Sequence, residues 1–161
     1  MRHTSARSGV TAKKPESIDF AEAAALSTPG LTALDLVDAV NPKELDTVLV
    51  VGATGGVGSY AVQLAARRGA RVIATARQAN EAFVRELGVA ETIDHTAEDI
   101  VGAVLVAHPD GIDAIIDVVS APTCSTAWLG SSRKAGDWRR LCTLPTWRAS
   151  QSAASGQRTS A

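Results

Sequence analysis

Only two of the 161 residues are cysteine, one is methionine, one is tyrosine, and aromatic side chains make up 4%. Two cysteines cannot build the bridged framework of a small secreted domain, so a reducing, cytoplasmic setting is expected. Long apolar runs are missing too. Thr47–Val51 and Ile112–Val119 are strand-sized and too short to cross a bilayer, so no membrane partner is expected. Met1–Val10 lacks the apolar stretch of a secretory leader. Charge of one sign is scarce: a net charge of −1 leaves no footprint for nucleic acid. Several motifs of chemistry are absent as well. Cys124 and Cys142 stand 18 residues apart, and His95 and His108 fall near predicted element ends. No C-x-x-C or H-x-x-x-H spacing exists, and no zinc is expected. Gly-Lys-Ser/Thr and G-x-S-x-G are both missing, which excludes a P-loop and a nucleophile elbow.

What is present is a 45% apolar chain, long enough for one domain with a real core. It contains a break. Residues 1–121 carry 10 Lys+Arg against 16 Asp+Glu, whereas residues 122–161 carry 6 against 1. Trp128, Trp138, Trp147 and both cysteines all follow residue 121. Four parts are expected: a disordered end over 1–14, leading helices over 15–44, a partial domain of alternating strands and helices over 45–121, and an aberrant tail over 122–161.

Periodicity places the elements. Ser17 and Asp19 can cap a helix over Pro15–Ala25 whose apolar face is Phe20, Ala23, Ala24 and Leu26. Thr28-Pro29-Gly30 breaks it, and Leu31, Leu34, Val37 and Val40 predict a second helix that stops at Asn41-Pro42. Asp46–Val51 reads as a strand buried on both faces. After the Gly52–Gly58 turn come a helix over Ser59–Arg68, a strand over Arg71–Thr75 and a helix over Asn80–Leu87. A strand over Glu91–Asp94, a helix over Ala97–Ala107 and a strand over Ile112–Val119 complete the alternation. Strands separated by helices imply an α/β fold, an open parallel sheet in order 3-2-1-4 with helices on both faces.

The glycine turn carries the chemistry. Ala53, Gly55 and Gly58 occupy the positions of a G-x-G-x-x-G fingerprint, between a strand and a helix. A glycine at 55 admits a pyrophosphate to the backbone, and one at 58 lets helix and strand pack closely. The helix start at Gly56-Val57 aims N–H groups and a positive dipole end at phosphate, with Thr54 beside it. At the end of the second strand, where an NAD site places a carboxylate, stand Ala76 and Arg77. A guanidinium there can pair with a 2′-phosphate in a forked geometry, which favours NADP(H) over NAD(H).

Leu26–Ala33, Thr47–Ala66 and Gly69–Ala76 together resemble the medium-chain dehydrogenase/reductase superfamily, in its quinone-oxidoreductase-like, zinc-type alcohol dehydrogenase branch. Val51–Gly58, Ala61–Ala65, Glu86–Ala90, Gly111–Asp113 and Asp117–Val119 carry the likeness, which covers about residues 10–121. It implies a Rossmann-type cofactor domain and a hydride-transferring oxidoreductase acting on a small molecule. It also implies that Thr32 lies near the nicotinamide and that Val119 and Ser120 lie along the cofactor's edge.

Departures set the alternatives. About 15 residues precede the first helix, so the family's substrate domain is not expected in this sequence. A nucleotide-binding fragment without catalysis therefore stands beside the oxidoreductase reading. A short-chain-type reductase shares the Gly52-Ala53-Thr54-Gly55 wording but needs Tyr-x-x-x-Lys, and Leu64 follows the lone Tyr60. For the tail, a slip of the coding frame near Ala121–Thr123 is expected. Codons for Lys134–Arg139 read one base out of step permit Gly-Gly-Arg-Leu-Ala, the start of the resembled family's fifth strand. The fifth strand's place should then stand open, and the exposed edge should promote self-association.

Overall fold

The computed structural model describes residues 12–97 and 99–119, together with the backbone of 141–143. The helix α1 (Phe20–Val40) leads into β1 (Thr47–Val51), α2 (Gly56–Arg67) and β2 (Arg71–Thr75). A single 3-10 turn at Gln78–Asn80 precedes α3 (Glu81–Glu86), β3 (Val89–Ile93), α4 (Ile100–Ala107), β4 (Ala114–Asp117) and β5 (Leu141–Thr143). All pairings are parallel, in the order β3-β2-β1-β4-β5. The α/β class and the 3-2-1-4 order expected from the sequence are both observed.

Two apolar layers enclose the sheet. Val48, Val50, Val72, Ala74 and Ile116 face Leu36 and Val37 of α1, Val62 of α2 and Val84 of α3. Leu49, Ile73 and Ile115 face Val104 of α4 on the other side, with Ile112. Each fully buried Val, Leu or Ile contributes about 1.5–3 kcal/mol. Burial of β1 on both faces explains why its sequence is continuously apolar rather than alternating. Entry to β4 is pinned to β1 by a reciprocal pair. The Thr47 N–H donates to Asp113 Oδ2 at 2.9 Å, and the Asp113 N–H donates to the Thr47 carbonyl at 2.9 Å.

Two expectations need correction. The leading segment forms one helix, not two: α1 runs through Pro29. Asp19 caps it, in a capping box with Glu22, and Asn41 ends it at φ 47°. Thr28-Pro29-Gly30 reads locally as a break, but Ala33, Leu36, Val37 and Val40 must lie on the sheet. Their burial outweighs the loss of one helical hydrogen bond at proline, about 3 kcal/mol. The Thr32 hydroxyl, one turn on, donates to the Thr28 carbonyl at 2.8 Å. The second correction concerns the sheet edge. The fifth position is filled, with Leu141, Cys142 and Thr143 in register with Ile115, Ile116 and Asp117. Parallel pairing is set by backbone groups, so the composition of the tail did not reveal it.

Element ends also differ by a few residues. Helix α2 starts at Gly56, β3 starts at Val89, and β4 is limited to Ala114–Asp117. Strand β3 enters through a bulge: Val72 pairs with Val89, but Ile73 pairs with Glu91. The skipped residue, Ala90, turns Glu91 toward the α4 side, where Arg71 and His108 Nε2 (2.9 Å) meet its carboxylate. Burial pushes the Glu91 carboxyl up, but hydrogen bonds from His108 and Arg71 outweigh that effect and hold it below the usual range. The expected disordered end over 1–14 falls largely outside the described residues. So do Trp128, Trp138, Trp147, Cys124 and the side chain of Cys142. Among the described residues, no helix is long and apolar enough to cross a membrane.

Candidate functional site

The strand order fixes where a ligand can enter. From β1 the chain steps outward through β2 to β3, then returns to β4 on the other side of β1. The carboxyl ends of β1 and β4 therefore diverge into a crevice at the topological switch point. The glycine turn lies there.

Its glycines divide the work. Gly52 takes φ +87°, and a Cβ on it would lie 2.3 Å from Val119 Cγ2. The tight-turn role that Ala53 cannot fill thus falls to the preceding residue, and Ala53 is fully buried instead. A Cβ at Gly58 would stand 2.1 Å from the Gly52 carbonyl oxygen, so α2 packs on β1 only with glycine there. Gly55 differs. Its backbone is extended, at φ −79° and ψ 168°, and a Cβ would touch only the Gly52 oxygen, at 3.4 Å. The fold itself therefore tolerates a side chain at 55.

Helix α2 has no side-chain cap at Gly55, and its first turn is Gly56, Val57 and Gly58. The first intrahelical donor is the Ser59 N–H, bonded to the Gly55 carbonyl at 2.9 Å. Thr54, Gly55 and Gly56 are exposed and Val57 is half-buried. This arrangement presents uncapped N–H groups, a positive dipole end and no covering side chain: a fit for a diphosphate. Pro29 of α1 packs beside it, its Cβ 3.6 Å from where a Gly56 Cβ would lie.

The other sequence-selected residues take the following places. Ala76 is buried beyond β2, with its N–H on the Ile93 carbonyl at 3.0 Å. Arg77 is exposed, and its guanidinium makes no hydrogen bond or ion pair with the described residues. Val119 lies over Gly52 and is 70% exposed. Thr32 is half-buried one turn beyond Pro29, its hydroxyl proton engaged by Thr28. Ser120 lies outside the described residues. The fold thus gathers the ends of β1, β2 and β4 along one sheet edge, and α1 reaches that edge at Pro29.

Two residues were not singled out from the sequence. Thr75 Oγ1, buried at the end of β2, accepts the Gly52 N–H at 3.0 Å across 23 residues and ties the turn to β2. Asp94, beyond β3, accepts the Gln78 N–H at 3.1 Å and, from Thr96, the N–H at 2.9 Å and the hydroxyl at 2.6 Å. The Thr96 bonds, then the Gln78 bond, hold its carboxyl below the usual range. Neither pairing has a local sequence signal. Among the described residues, no three His, Cys, Asp or Glu side chains converge as metal ligands, so no step is assigned to zinc.

Comparisons with known proteins agree with this fold. The pattern of the family described as zinc-binding dehydrogenase matches residues 56–139, just over half of the chain and past Ala121, where the likeness in the sequence stops. A chloroplast envelope quinone oxidoreductase homolog of Arabidopsis thaliana is 41% identical over 115 residues, covering 66% of this chain and 34% of that protein. A quinone oxidoreductase of Pongo abelii is 33% identical over 111 residues, covering 67% and 34%. The chain thus spans about a third of the length of these curated relatives. Among solved structures, the Coxiella burnetii quinone oxidoreductase superposes with a TM-score of 0.71 at 32% identity, covering 91% of this chain and 45% of that one. A mycobacterial protein solved with NADPH gives 0.69 at 36% identity, covering 79% and 40%. The chain belongs to the zinc-binding dehydrogenase family of the medium-chain dehydrogenase/reductase superfamily, and its described residues form a segment of that family's cofactor-binding domain.

Proposed function

We propose that this chain is the cofactor-binding part of an NADP(H)-dependent oxidoreductase of the quinone reductase type, acting on a small-molecule acceptor. The observation that carries the reading is the open glycine surface at Gly55–Gly56, set on an uncapped helix start at the switch point. The family and the NADPH bound to one structural neighbour support it. A bound nicotinamide supplies the hydride; the residues of this chain bind and orient it. The Gly56–Gly58 N–H groups neutralise the diphosphate, Ala53 and Thr54 form the turn beneath it, and Gly55 leaves room for it. Arg77 pairs with the 2′-phosphate and Ala76 presents no carboxylate to repel it. Thr32, Val119 and Ser120 border the nicotinamide half. No group of this chain is assigned as proton donor.

Titration with NADPH and NADH tests the reading. Tighter binding of NADPH is expected, with Arg77→Ala removing about 1.5–3 kcal/mol of that preference. An unchanged ratio of affinities would show that Arg77 does not read the phosphate.

A further inference from the structure

We infer that Asp94 is a positioning residue for Arg77, and so sets the preference between NADPH and NADH without touching either. The inference rests on the proposed role of Arg77 at the 2′-phosphate. An arginine distinguishes the two dinucleotides only if its guanidinium is held where the phosphate arrives and is not spent on another carboxylate. Both conditions trace to the backbone around residue 77. The Ala76 N–H is bound to the Ile93 carbonyl at 3.0 Å, and the Asn80 N–H binds the Arg77 carbonyl at 2.8 Å. The Gln78 N–H goes to Asp94 Oδ2 at 3.1 Å. The backbone from which the Arg77 side chain departs is therefore fixed by hydrogen bonds on either side.

Asp94 is suited to this because its charge is already committed. Oδ1 accepts both the N–H and the hydroxyl of Thr96, at 2.9 and 2.6 Å, while Oδ2 faces Gln78. Its own carbonyl accepts the Ala97 N–H at 3.0 Å, closing the turn after β3. One carboxylate thus clamps the loop after β2 to the loop after β3. Among the described residues, Asp94 forms no ion pair with the Arg77 guanidinium. The clamp also sits outside both apolar layers, so removing it leaves the core intact.

Fluorescence titrations of the full chain with NADPH and with NADH, on wild type, Asp94→Ala, Asp94→Asn and Arg77→Ala, test this. Arg77→Ala should cut the ratio of affinities by roughly tenfold to a hundredfold. Asp94→Ala should cut the same ratio several-fold through NADPH alone, with NADH affinity unchanged. Asp94→Asn, which keeps an oxygen acceptor toward Gln78, should retain more of the ratio than alanine does. If Arg77→Ala changes the ratio but Asp94→Ala does not, the inference is overturned while the role of Arg77 stands. A loss shared equally by both dinucleotides would mean a merely structural role and overturns it too. If Arg77→Ala leaves the ratio unchanged, or neither dinucleotide binds wild type, the proposed function fails and the inference falls with it.

Discussion

Residues in the glycine turn that look equivalent in the sequence carry different burdens. Gly52 and Gly58 are required by the fold: one has φ +87°, the other has a carbonyl oxygen where its Cβ would be. Gly55 has room for a Cβ within the fold, so the proposed function assigns its need for glycine to the dinucleotide. Thr75 belongs with the first group, because its oxygen is the acceptor for Gly52. Thr75→Val keeps the shape and removes that acceptor, leaving the Gly52 N–H unsatisfied in a largely buried place. The expected cost is about 1–3 kcal/mol in urea unfolding, with weaker NADPH binding because the turn loosens. Unchanged stability would show that the Gly52 N–H finds another partner. The turn itself was legible because its signal is local: an apolar run, closely spaced glycines, then a helix. The Thr75–Gly52 and Asp94–Gln78 bonds were not, because their partners lie 23 and 16 residues apart.

At the scale of elements, α1 shows tertiary packing overriding local propensity. Pro29 and Gly30 are the strongest punctuation in that stretch, and a helix boundary there is the natural local reading. The buried positions Ala33, Leu36, Val37 and Val40 give the second half of the helix its reason to exist. Arg68 fixes the end of α1 to α2 by donating to the Val37 carbonyl at 2.9 Å and pairing with Asp38. Pro29→Ala should restore a donor for the Ala25 carbonyl. Subtracting the proline's restriction of the unfolded chain leaves an expected gain of about 2 kcal/mol. A rise in the urea midpoint would show this. A fall would mean that the Pro29 contact at Gly56 is worth more than the missing hydrogen bond. The strands behaved differently. β1, β2 and β4 are short and buried on one or both faces, so composition alone located them. The bulge at Ala90 and the pairing of Leu141–Thr143 depend on backbone register, which side-chain patterns do not encode.

For the whole molecule, the proposed function has the described fold bind and orient a dinucleotide without by itself enclosing a substrate. A hydride acceptor needs a pocket that excludes water and a source for the accompanying proton. The chain spans about a third of its curated relatives, 34% of the length in the Arabidopsis case. These 161 residues taken alone, given NADPH and a simple quinone, are expected to show turnover far below about 1 s⁻¹, the low end for typical enzymes. Rates within the ordinary range would mean that copies of the chain build the pocket between them.

The central claim is that the open surface at Gly55 exists for a dinucleotide. Isothermal calorimetry with NADPH on wild type and on Gly55→Val, alongside circular dichroism melts of both, tests it most directly. The backbone at 55 is extended and its Cβ has room, so the variant should stay folded, melting only somewhat lower because valine caps a helix less well than glycine. Wild type should bind NADPH and the variant should give no heat. Equal binding by both proteins, or no binding by a folded wild type, would contradict the claim.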